Sequence, residues 1–211
     1  MFSLFRRKPK TRQELVLLGD QARARGRVKK AINHYQAALV LAPDDATIHG
    51  KLAPLLAKTQ QGEAALNSFK AAADGHVAKG FTDRAISVWT QAAGSFPNQP
   101  RIWQELSRLQ LGRGRRADAL KALIDGRAAL KRKGERAEAA VLLRQVLELE
   151  SGHVDARLDL AGLMGKLGQR DEALALLTPL EDGPPKVLKR VRKTQFWIAP
   201  SPGRLWRWFR T

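Results

Sequence analysis

Three stretches of this 211-residue chain read as copies of one another, offset by 54 residues. Gly26, Gly80 and Gly134 keep that spacing, as do Ala31, Ala85 and Ala139, and again Ala65, Ala119 and Ala173. The aligned units open GRVKKAINHYQAAL, GFTDRAISVWTQAA and GERAEAAVLLRQVL. They continue KLAPLLAKTQQGEAALNSF, ELSRLQLGRGRRADALKAL and DLAGLMGKLGQRDEALALL. Small and large apolar residues recur at helical spacing throughout, and no segment alternates as a strand would. A helical unit of this size cannot bury its apolar face alone, so neighbouring units must stack. The pattern therefore dictates an all-α array.

These residues resemble the tetratricopeptide repeat family, whose unit of about 34 residues is a pair of antiparallel helices. Leu18-Gly19, Gly26, Ala31, Tyr35, Ala38 and Pro43 fall in the family's order and spacing, and Gly80, Ala85, Trp89, Ala92 and Pro97 repeat it. More degenerate sets run through Leu106, Gly114, Ala119 and Leu123, and through Leu160-Ala161, Gly168, Ala173 and Leu177. Glycine suits the tight turn between paired helices and small Ala lets them approach. The aromatic or Leu fills the gap, and Pro stops the second helix.

The resemblance spans residues 12–182 and implies a right-handed solenoid of about ten antiparallel helices. A period of 54 is one unit plus 20 residues, so three helices rather than four serve each pair of units. Segments 62–79 and 116–133 would each serve two units as one helix about 27 Å long, unless Asp74-Gly75 and Asp125-Gly126 break them. Pro54 falls inside a helix expected at 46–59 and should kink it or force a later start.

Catalysis finds little to rest on. The absence of cysteine removes disulfides, thiolate zinc sites and cysteine nucleophiles. His34, His49, His76 and His153 stand apart, without metal-ligand or triad spacing, and read as surface or half-buried helix residues. Gly112-Arg113-Gly114-Arg115-Arg116 lacks the spacing of a phosphate loop and any preceding strand, and reads as a repeat turn. Trp89 and Trp103 fall at repeat core positions. No enzyme activity, metal, cofactor or small-molecule substrate is expected.

What the resemblance implies is binding, with a peptide or protein held along the face built by the first helix of each pair. The family variant that grips a C-terminal carboxylate uses Lys and Asn at set positions of those helices. Here the first copy has Gln13, Val16, Asp20, Arg23 and Ala24 there, so that partner class is not expected.

The ends differ from the body. Net charge is +18, from 38 basic and 20 acidic residues. Residues 1–13 carry Arg6, Arg7, Lys8, Lys10 and Arg12 with no acid. Residues 183–211 carry Lys186, Lys189, Arg190, Arg192, Lys193, Arg204, Arg207 and Arg210, again with no acid. That leaves only +5 for everything between. The expected organisation is a basic amphipathic segment (1–11), the array (12–182) and a basic, Trp-rich tail (183–211), with Gly183-Pro184-Pro185 at the second boundary.

In the tail, Val187, Leu188 and Val191 share a helical face, so 185–194 is either a helix capping the array or a free basic segment. Farther on, Ser201 suits an N-cap and Pro202 a first turn. Around that helix Leu205, Trp206, Trp208 and Phe209 gather on one half, and Arg204, Arg207 and Arg210 on the other. Phe2 and Phe5 oppose Arg6 and Arg7 in a similar way. The candidate partner- or membrane-binding residues are thus Phe2, Phe5, Arg6, Arg7, Phe196, Trp197, Arg204, Leu205, Trp206, Arg207, Trp208, Phe209 and Arg210.

The leading expectation is an interaction scaffold or adaptor that docks a protein partner through its array and its ends. The alternative is a peripheral protein anchored to acidic lipid by those ends. A second alternative is nucleic-acid binding, against which stand the body's modest charge and the lack of a nucleic-acid module. No apolar run reaches the roughly 18 residues of a membrane span. MFSLFRRKPK puts its charges after its apolar residues, unlike a secretory signal. A cytoplasmic location is expected, with a place at the inner face of the membrane compatible with the ends. The Arg-, Ala- and Gly-rich composition fits a bacterial source.

Overall fold

The computed structural model describes residues 10–209. Its chain divides into two units, one ending at Phe96 and the other beginning at Pro97. The first holds α1 (Arg12–Ala24), α2 (Val28–Leu41), α3 (Ala46–Lys58), α4 (Gly62–Ala78) and α5 (Thr82–Ser95). The second holds α6 (Pro100–Gly112), α7 (Arg116–Ala129), α8 (Arg136–Leu149), α9 (Val154–Lys166), α10 (Arg170–Ala175), α11 (Pro185–Ile198) and α12 (Pro202–Phe209). Single 3-10 turns stand at Lys133–Glu135 and Thr178–Leu180. Among the described residues there is no strand. The segment read as the array supplies α1 to α10, in agreement with the all-α helical-repeat expectation.

Five helix junctions are built alike. The backbone turns left-handed at Gly26 (φ 68°), Gln60 (φ 61°), Gly80 (φ 76°), Gly114 (φ 71°) and Gly168 (φ 87°). In each the following N–H donates to the carbonyl five residues back: Arg27 to Ala22, Gln61 to Leu56, Phe81 to His76, Arg115 to Gln110 and Gln169 to Met164, at 2.8 to 3.0 Å. This is the Schellman closure, which satisfies carbonyls a helix end would otherwise leave bare. The glycine-arginine run at 112–116 is one of these turns, as its sequence suggests.

Gly134 departs from the series. It lies in the 3-10 turn, where the Glu135 carboxylate accepts from the Arg132 N–H at 2.8 Å. The helix expected over 116–133 accordingly stops at Ala129. Leu130 ends it by turning into the core, only 3% exposed, while its carbonyl accepts from the Arg127 guanidinium at 3.1 Å.

Helices α4 and α7 both run unbroken through their Asp-Gly pairs. Glycine inside a helix costs about 0.5–1 kcal/mol. Packing requires it at position 126, where an added Cβ would stand 2.5 Å from Cγ of Trp103. The later start considered for the Pro54 helix is not found. Asp45 caps α3 by accepting from the Thr47 and Ile48 N–H groups at 3.0 and 3.2 Å, and the helix continues through Pro54. Burial of Leu52, Ala53, Leu55 and Leu56 around the proline outweighs the backbone bond it forgoes.

Each unit has its own core. The first gathers Ala31, Tyr35, Ala38, Leu52, Leu56 and Ala65. The second gathers Leu123, Leu142, Val146, Leu160, Leu177, Val191 and Ile198. Trp89 is buried, and half-buried Trp103 donates its indole N–H to the Pro97 carbonyl at 2.8 Å. Helix α11 extends to Ile198, beyond the expected 185–194. Its buried Val191 and Ile198 join the second core, with α9 beside it.

Candidate interaction surfaces

Ion pairs tie neighbouring first helices within each unit. In the first unit Arg12 pairs with Asp45, and Lys51 of α3 reaches Asp20 of α1 at 2.6 Å. Tyr35 donates its hydroxyl to the same carboxylate at 2.6 Å. Burial alone would raise the Asp20 pKa, but the bonds from Lys51 and Tyr35 outweigh it and hold the group below its ordinary value. The Tyr35 phenol is pushed upward, first by burial and then by Asp20. Both shifts keep Asp20 ionised and Tyr35 protonated over the neutral range.

A cleft of about 380 Å³ opens between α1 and α3, lined by Gln13, Val16, Leu17, Asp20, Thr47 and Ile48 together with Arg12 and Asp45. Leu17 stands 57% exposed on its wall. Gln13, Val16 and Asp20 are three of the positions the sequence singled out.

In the second unit the Arg127 guanidinium donates to Asp159 at 2.9 Å, linking α7 to α9, and Arg190 links α11 to Asp155 of α9. A groove of about 450 Å³ between α9 and α11 is lined by Leu158, Asp159, Gly162, Lys166, Thr194 and Trp197, among others. A third groove, about 590 Å³ between α8, α9 and α10, sets Leu147, Leu160 and Met164 among Arg144, Glu148, Arg157 and Glu172.

The chain then turns into α12. Ser201 caps it, its Oγ accepting from the Arg204 N–H at 3.3 Å, and Pro202 takes the first turn, as the sequence suggested. Phe196 at the end of α11 stacks on Trp208 with ring centroids 5.8 Å apart, and meets Trp197 edge-on at 5.7 Å. Trp197 is 67% exposed and Trp206 57%. The Arg204 guanidinium donates back to the Ala199 carbonyl at 2.9 Å.

Among the candidate residues, then, Phe196 and Trp197 of α11 and Trp208 of α12 form one aromatic cluster, and Trp206 of α12 is exposed. Leu205, Arg207 and Phe209 lie on the α12 backbone. Phe2, Phe5, Arg6, Arg7 and Arg210 fall outside the described residues. Exposed Lys186, Lys189 and Lys193 were not singled out from sequence, although the apolar arc of Val187, Leu188 and Val191 implies a polar arc opposite. Among the described residues no three His, Asp or Glu side chains converge as metal ligands do, and no helix is long and apolar enough to cross a membrane.

Residues 19–60, 70–129 and 130–192 each match a tetratricopeptide repeat pattern, and together they span most of the chain. The chain belongs to the tetratricopeptide repeat family, whose members are typically interaction modules. No curated protein matches it. Solved structures with a similar fold include the MamA protein, at 15% identity over 87% of this chain and 91% of that one, with a TM-score of 0.32. A thermophilic tetratricopeptide repeat protein of Thermus thermophilus is 23% identical over 87% of this chain and 98% of that one, with a TM-score of 0.29. The Rap conjugation gene regulator of plasmid pLS20, solved with the Phr* peptide, is 16% identical over 94% of this chain and 62% of that one, with a TM-score of 0.42.

Proposed function

We propose that this protein is a non-enzymatic adaptor whose helical array holds a segment of a partner protein, while its basic and aromatic end makes a second contact. The observation that carries the reading is the α1–α3 cleft. Its walls are fixed by the Arg12–Asp45 and Asp20–Lys51 pairs, and it presents Leu17 beside the polar Gln13 and Thr47. A rigid wall with an exposed apolar side chain and nearby hydrogen-bonding groups suits an extended or helical peptide. Binding to preformed walls also loses less ordering entropy. In this reading the protein works in the cytoplasm.

The experiment is affinity capture from the source cells with the full chain and with Leu17→Glu. Leu17 is mostly exposed, so the substitution leaves the core intact, and circular dichroism should show unchanged helix content. The expected result is a partner retained by the wild type and lost with Leu17→Glu. Retention of every partner by the variant would remove the cleft from the account.

A further inference from the structure

The exposed side chains of α11 include Lys186, Lys189, Arg190, Lys193 and Trp197. At about 100° per residue these five fall in one arc, while Val191 and Ile198 point the other way, into the core of the second unit. One edge of the arc abuts α9, where Asp155 holds Arg190. At the other edge Phe196 stacks on Trp208, which sets α12 beside α11, while Trp206, about 200° further round α12, is exposed on the side turned away from the stack. No acidic residue occurs from 183 to 211, and the acids that face the row are Asp155 and Asp159 of α9, at the edge where Arg190 and Lys193 lie.

We propose that this α11–α12 face docks on the surface of an anionic lipid bilayer. Lys186 to Lys193 spans about 10 Å of helix, a row of separate ammonium groups rather than a fitted pocket for one acid. Such a row is satisfied by laterally continuous negative charge, as acidic headgroups supply it. Exposed Trp197 within the arc, with exposed Trp206 on the helix that follows, calls for an apolar layer just below the charge, with no matching shape required. Indole favours that boundary because one part of it is apolar and its N–H is polar. A bilayer surface offers both layers at once, and binding to it requires no membrane-spanning helix. This inference goes beyond the adaptor reading and does not depend on it.

Flotation of the full chain with vesicles tests it. The wild type should rise with phosphatidylcholine vesicles containing about 30% phosphatidylserine and stay behind with phosphatidylcholine alone. The combined Lys186→Gln, Lys189→Gln and Lys193→Gln variant should bind the acidic vesicles roughly a hundredfold more weakly. Trp197→Ala with Trp206→Ala should weaken binding roughly tenfold or more, through lost apolar burial. All five positions are exposed, and helix content by circular dichroism confirms that the variants are folded. Failure of the wild type to float, equal flotation with neutral vesicles, or variants that float like the wild type would overturn the proposal. So would a wild type that stays in solution while the lysine variant loses a captured protein, which identifies the occupant as an acidic protein surface. The Leu17→Glu variant should float normally, so the failure of one proposal is distinguishable from the failure of the other.

Discussion

Of the five left-handed turn positions among the described residues, four are glycine and the fifth is Gln60. Glycine enters that region freely, whereas a side chain there crowds the following carbonyl at about 1–2 kcal/mol. The Gln61 N–H still reaches Leu56 at 3.0 Å, so the turn is formed in spite of its residue. Replacing Gln60→Gly should therefore stabilise the first unit by about 0.5–1 kcal/mol, the relief of strain being partly offset by a more flexible unfolded chain. A higher urea midpoint without a change in slope is the expected reading, and a lower midpoint would contradict it. The turn itself was foreseeable from its neighbours: Gln60 stands 34 residues after Gly26 and 54 before Gly114. Only the missing glycine hid it.

Among the elements, helices were legible where the information is local. Apolar spacing set the register of α1 to α10, and the repeat turns set most boundaries. The end of α7 was not legible, because it depends on Leu130 finding the core of the second unit, a contact no local pattern reveals. The depth to which α11 enters that core was hidden for the same reason. So was the position of Arg204, which a helical wheel displays on a cationic face but which folds back onto the Ala199 carbonyl. Helix α7 offers a direct test of packing. Gly126→Ala would put a methyl 2.5 Å from the Trp103 ring and should destabilise the second unit by about 1–3 kcal/mol. Gly134→Ala, with open space around its Cβ, is the matched control and should be nearly neutral. Equal effects of the two substitutions in urea titrations would contradict the packing account.

Over the whole molecule, the uneven charge parallels the two proposed tasks. The middle of the chain carries +5 of the +18 and supplies fixed walls, while the ends concentrate cations and aromatics. The two tasks are not divided by the sequence boundary at Gly183. Helix α11 contributes Val191 and Ile198 to the core of the second unit, so a chain ending before it would lose structure as well as surface. Single substitutions at Leu17 and along the α11 lysine row separate the tasks without that cost. What the two proposals jointly require is a molecule that joins a protein partner to an acidic lipid surface. The most direct measurement of this is flotation of phosphatidylserine-containing vesicles through a membrane-free extract of the source cells with the added protein. The account predicts that the captured partner rises only with the wild-type chain. With Leu17→Glu the chain should rise alone, and with Lys186→Gln, Lys189→Gln and Lys193→Gln chain and partner should both stay in solution. A partner that rises equally with all three proteins, or with none, would contradict the account.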